Sequence, residues 1–167
     1  MSEVSSILKG KPHVIKRWRK VKTLVIDEVS MMGKELLTAI DLAARWCRGS
    51  DKPMGGITCV MVGDFHQLPP VNSAGLCFEC PSWRDMGLTN VMLNTNFRQG
   101  NDSVWRDLLN RVRTGDITEK DRKLLETRRI PEGEEPPVSG KVTELHPRVE
   151  KVREVNGRLI KEEAERR

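Results

Sequence analysis

An α/β fold built on a parallel sheet is what this sequence of 167 residues predicts, and three observations predict it. Two short apolar runs, "KTLVIDE" and "ITCVMVGD", read as strands buried on both faces. Between them, "GKELLTAIDLAARWCRG" sets Leu36, Leu37, Ile40, Ala43, Ala44 and Cys47 at helical spacing. A strand–helix–strand order with so long a crossover calls for parallel strands joined in the right-handed sense.

The elements follow in order. From Val4 to Ile26 there is no acid, while Lys9, Lys11, Lys16, Arg17, Arg19, Lys20 and Lys22 crowd together within a net charge of +5. Basic side chains neutralise phosphates and an indole can stack on a base. Lys16, Arg17, Trp18, Arg19 and Lys20 are therefore a candidate nucleic-acid face; the alternative is a solvated helix face with Trp18 packed inward. The first strand comes next, then the long helix, which Gly49 should stop. "SDKPMGG" is a loop before the second strand. "VMLN" (91–94) reads as a third, short strand, and "DSVWRDLLNRVRTG" as a helix with Val104, Leu108 and Val112 on one face. A shorter helix is expected near 118–128. "RRIPEGEEPPVSG" is a loop, "KVTELH" is strand-like, and the tail from Arg148 is helical and charged.

Composition bounds the class. With 37% hydrophobic and 32% charged residues the chain reads as a soluble globular protein. It has no apolar run near the roughly 20 residues that cross a bilayer, so no membrane partner is expected. "MSEVSSILKGKPHV" lacks the apolar core of a secretory signal, so the expected location is intracellular: nucleus or mitochondrion in a eukaryote, cytoplasm in a bacterium or virus. Four cysteines suit a reducing compartment. Cys77 and Cys80 form a C-x-x-C without a second pair at finger spacing, so they are read as small core or turn hydrophobes rather than zinc ligands.

Chemistry in parallel sheets gathers at the carboxyl ends of strands, and two strand ends here carry it. The first presents Asp27 and Glu28, the second Asp64 to Gln67 in "MVGDFHQLPPV". Side chains alternate along a strand, so two adjacent carboxylates can serve different partners. One can hold a hydrated magnesium ion while the other orients or deprotonates water, the division of labour that nucleoside triphosphate hydrolysis needs. The alternative is a strand that ends on acids entering a turn.

"LVIDEVSMM", then "GGITCVMVGDFHQLPPV", then "LNTNFRQG" resemble three ordered motifs of the PIF (petite integration frequency) DNA helicases, superfamily-one enzymes related to RecD. Asp27, Glu28, Ser30 and Met31 match the family's Walker B motif. Gly63, Asp64, Gln67, Leu68, Pro69 and Pro70 match the third motif, and Leu93, Arg98 and Gln99 the fourth. Weaker likeness extends the resemblance over roughly residues 15–160. It implies a RecA-like P-loop NTPase fold, ATP and Mg2+ as cofactors, and single-stranded or forked DNA as partner, unwound 5′ to 3′ in replication, repair or recombination. Asp27 would hold Mg2+ through water, Glu28 would be catalytic, Gln67 would sense the γ-phosphate and attacking water, and Arg98 would be an arginine finger. An amide can donate to a phosphate oxygen and accept from water at once, which fits Gln67. A planar, permanently charged guanidinium fits Arg98. Asp64 is expected to tie its loop to neighbouring elements, and His66 is assigned no chemistry.

The pattern is partial. Gly10-Lys11, Gly33-Lys34 and Gly140-Lys141 are followed by neither Ser nor Thr, so the sequence holds no G-x-x-x-x-G-K-[ST] phosphate cradle; the late family motifs are also missing. The expected division is 1–95 as the back part of a first motor domain and 96–167 as the start of a second, inactive as a fragment alone. Two alternatives stay open: a non-catalytic remnant that binds nucleic acid or a partner, and a metal-dependent hydrolase built on Asp27, Glu28 and Asp64, for which no histidine is placed.

Overall fold

The computed structural model describes residues 2–131, 133, 134 and 143–165. They fall into two compact units, Met1–Ile117 and Thr118–Arg167. The first unit contains α1 (Ser2–Lys9), α2 (Pro12–Lys20), β1 (Thr23–Ile26), α3 (Lys34–Arg48), β2 (Thr58–Met61), α4 (Pro81–Asp85) and α5 (Ser103–Thr114). The second contains α6 (Glu119–Glu126) and α7 (Val149–Glu165).

The two predicted strands pair in parallel, Thr23 with Thr58 through Ile26 with Met61, and α3 is the crossover. The side chains of α3 bury on the sheet because its apolar stripe repeats every three to four residues: Leu37, Ala44 and Cys47 have no exposed surface. One core cluster gathers Val29, Leu37, Cys77 and Cys80 beneath Ile26 and Met61. The other gathers Ala44, Met54 and Ile57 with Trp18, Leu24 and Cys59. Cys77 and Cys80 thus act as small core hydrophobes. Gly49 ends α3 at φ +59, a left-handed conformation that costs glycine nothing.

Four expectations change. The strands are covered on one face only: Val25 remains 61% exposed and Val60 44%. A continuous apolar run signals burial on both faces, but among the described residues nothing packs on the outer one. "VMLN" forms no strand: Val91, Met92 and Leu93 are all exposed, and the segment pairs with neither β1 nor β2. Thr143–His146, the described part of "KVTELH", is likewise irregular, and Lys141 and Val142 lie outside the described residues. On α5 the predicted stripe narrows to Leu108, since Val104 and Val112 are exposed.

A buried carboxylate holds the α3 side of the first unit together. Asp41 accepts from Arg45 Nε at 2.9 Å, from the Met54 amide at 2.6 Å and from the Ser82 hydroxyl at 2.9 Å. It thereby joins α3 to the left-handed turn at Met54 and to α4. Burial pushes its acidity down, but these donors outweigh burial and hold the carboxyl below its ordinary value of 3.8. Its contribution is therefore complete above that value and lost as the pH falls through the lower folded one. Asp41→Ala strands three donors and should destabilise the unit by about 2–4 kcal/mol in urea melts at neutral pH; Asp41→Asn should also flatten the acid limb of stability below about pH 4. Melts unchanged at both pH values would contradict this.

Candidate active site

The carboxyl ends of β1 and β2 lie side by side. Pairing continues past the strands: the Val62 amide donates to Ile26 at 2.8 Å, and the Val29 amide returns to Val62 at 2.9 Å. Asp27–Glu28 and Gly63–Asp64 therefore leave the sheet as neighbours. Gly63 is required by this approach, since a Cβ there would sit 2.9 Å from the Val29 nitrogen and 3.2 Å from that of Ser30. Two of the matched motifs are in backbone contact through this glycine.

Asp27 and Glu28 are both exposed. The Glu28 amide donates to Asp27 Oδ1 at 2.9 Å, which turns the chain sharply, and Glu28 itself adopts φ +51. A left-handed glutamate costs roughly 1–2 kcal/mol, and its cause is local: the next residue, Val29, is anchored in the core while Glu28 must face outward. The Cys77 thiol donates to the Val29 carbonyl at 3.5 Å from below. The Glu28 side chain has no partner among the described residues.

The second loop is fixed at both ends. Asp64 accepts a two-pronged bond from Arg113 of α5, Nε at 2.6 Å and Nη2 at 2.8 Å, and also accepts from the His66 amide at 3.1 Å. The Arg113 guanidinium holds this carboxyl far below the usual carboxylate range. Asp64 thus ties its loop to a neighbouring helix and is spoken for by an arginine, which removes it from any three-carboxylate metal site. Phe65 packs edge-to-face on Phe78 with centroids 4.9 Å apart. Beyond the prolines, Ser73 donates to Glu35 at 2.6 Å and Lys34 donates from its amide to Gly75 at 3.2 Å, fastening the loop to the start of α3. Gln67 is exposed; its Nε2 makes a long 3.3 Å bond to Asp64, leaving the amide oxygen open.

The remaining predicted residues stand apart. Arg98 is exposed on a tight turn closed by Gly100 donating to Phe97 at 3.4 Å, and its side chain has no partner among the described residues. Lys16, Arg17 and Lys20 are exposed on α2, whereas Trp18 is half-buried against Ala44, Met54 and Ile57. Arg19 donates to the Cys47 carbonyl at 2.9 Å. Sequence reasoning missed Arg113, which is 49 positions from its partner and carries no local signal.

Among the described residues no three His, Cys, Asp or Glu side chains could together hold a metal ion. Asp27 and Glu28 nevertheless suit magnesium, which takes one or two carboxylates and completes its shell with water and phosphate oxygens.

Comparison with known proteins places this arrangement. The family model described as PIF1-like helicase matches residues 2–123. The ATP-dependent DNA helicase PIF1 of Saccharomyces cerevisiae is 39% identical over 128 residues, covering 72% of this chain and 15% of the yeast protein. The crystal structure of Pif1 helicase from Candida albicans superposes with a TM-score of 0.77 at 33% identity, over 90% of this chain and 34% of that one. Pif1 helicase from Bacteroides, in complex with ADP-AlF3 and ssDNA, superposes with a TM-score of 0.66 at 28% identity, over 75% and 32%. The chain thus spans about a seventh of the yeast relative and carries part of a RecA-like α/β fold. With strand ends, glycine contact and motif order all in agreement, the chain belongs to the PIF1-like helicase family.

Proposed function

We propose that this chain supplies the hydrolytic part of an ATP-dependent DNA helicase that moves 5′ to 3′ along one strand in replication, repair or recombination. The observation that carries the reading is the meeting of Asp27–Glu28 with Gly63–Gln67 at the ends of adjacent parallel strands, with Glu28 held outward in a left-handed turn. In this reading Asp27 binds hydrated Mg2+, which screens the phosphate charge when ATP is bound. Glu28 orients the attacking water and takes its proton. Gln67 contacts that water and the γ-phosphate, on a loop that Asp64 and Arg113 keep in place. Arg98 belongs to a second motor domain beginning near residue 96 and reaches the γ-phosphate from across the cleft.

The exposed Lys16, Arg17 and Lys20 on α2 favour a second reading, a remnant that binds DNA or a partner without turnover. A transplant separates the two. Residues 2–123, put in place of the matched segment of the yeast relative, should give a chimera that unwinds forked DNA with ATP. A chimera that binds the fork and never unwinds it would favour the remnant.

A further inference from the structure

The basic segment before β1 is not absorbed by the hydrolytic site. On α2, Val14, Ile15 and Trp18 are half-buried, and His13, Lys16, Arg17 and Lys20 form the opposite, exposed stripe at spacings of three and four residues. The side chains of Lys16, Arg17 and Lys20 meet no acid among the described residues. Nor are they needed to cap the helix. Arg48 of α3 already does so, with Nη1 donating to the carbonyls of Trp18, Arg19 and Val21 at 2.9, 3.1 and 3.0 Å. Three cations are thus held in a row on a helix anchored from behind, with no work inside the fold.

We propose that the Lys16–Arg17–Lys20 stripe is a phosphate-binding surface for duplex DNA, separate from the nucleotide end of the sheet. The choice of DNA as the anion rests on the helicase reading above; the site itself needs no nucleotide. Position separates the two: α2 feeds the amino end of β1, and Asp27 leaves its carboxyl end, about 13 Å away along four residues of strand. The chemistry selects the duplex. Single strands are held by exposed aromatic platforms, and Trp18, the indole in this segment, is packed against the core cluster of Ala44, Met54 and Ile57. What remains is charge alone, which gains most from the polymer with the denser phosphate rows. The stripe rises about 6 Å from Lys16 to Lys20 at 1.5 Å per residue, and its three cations can neutralise at most about three phosphates.

The test is a fluorescence anisotropy titration of the 167-residue chain, without nucleotide, against a labelled duplex and a single strand of equal length. The duplex should bind more tightly, with log K falling against log salt at a slope near −2.7, or about −0.9 for each of three phosphates. Lys16→Glu/Arg17→Glu/Lys20→Glu should weaken duplex binding at least about tenfold and nearly flatten that slope. Lys120→Glu/Lys123→Glu/Arg129→Glu, which changes net charge equally, should leave the slope in place. Should the Glu variant lose its melting transition, Lys16→Gln/Arg17→Gln/Lys20→Gln reads the same order. Equal loss in both triple variants, tighter binding of the single strand, or displacement of the duplex by polyglutamate as readily as by unlabelled DNA would overturn the proposal, the last pointing to an acidic protein instead. If the chimera above fails to unwind while the stripe still binds duplex, the helicase reading fails and the surface stands.

Discussion

Arg98→Ala, made in a motor that supplies the phosphate-binding loop, should abolish DNA-stimulated ATP hydrolysis and unwinding while nucleotide affinity changes less than about tenfold. Arginine fingers in phosphoryl transfer are worth on the order of 10³–10⁵ in rate. The reason for the split is when the contact forms. Arg98 sits on an exposed turn without an internal partner among the described residues, so it is free to move onto a ligand. A group that engages only as the cleft closes contributes to the transition state and little to the ground state. Arg98→Lys should rescue poorly, because an ammonium cannot form the planar two-pronged contact. Near-normal hydrolysis with lost DNA binding would instead make Arg98 a contact to the DNA backbone.

Glu28→Gln should lower turnover in the same motor by about 10²–10⁴, the usual worth of a positioned base, with ATP and DNA still bound. The amide keeps the size and the turn, so the protein stays folded, but it cannot accept a proton. Glu28→Gly supplies the stability control. It removes the carboxylate and also relieves the left-handed backbone at φ +51, so it should be as inactive as Gln yet no less stable. Steady-state hydrolysis and thermal melts read both. Glu28→Gln turning over ATP at the normal rate would move the base elsewhere in the site.

Much of the frame was legible because it rests on local rules. The strands announce themselves as apolar runs, α3 by its 3.6-residue stripe and Gly49, and α5 by the helical spacing of Val104, Leu108 and Val112, of which Leu108 is buried. The same apolar runs put Asp27, Glu28, Asp64 and Gln67 at or just beyond strand ends. What stayed hidden depends on contacts between distant positions. Arg113 reaches Asp64 across 49 residues, and the burial of Asp41 depends on a turn and a helix that fold later in the chain. The failed strand at 91–94 is the same lesson in reverse. Its pattern is strand-like, but a local pattern does not say whether the segment reaches the edge of a sheet, and among the described residues it pairs with neither β1 nor β2. Trp18 was ambiguous for a related reason: an indole among lysines reads equally as a stacking platform or as the buried side of an amphipathic helix, and packing against Ala44 and Met54 decides it.

Asp27, Glu28 and Gln67 of this chain make a working hydrolytic end only if ATP is turned over through them in a complete motor. The most direct test is steady-state ATP turnover by the chimera carrying residues 2–123, measured with and without single-stranded DNA. Turnover should rise on adding DNA and be lost in Glu28→Gln. A chimera that binds both ATP and DNA yet shows no turnover above its Glu28→Gln version would contradict it.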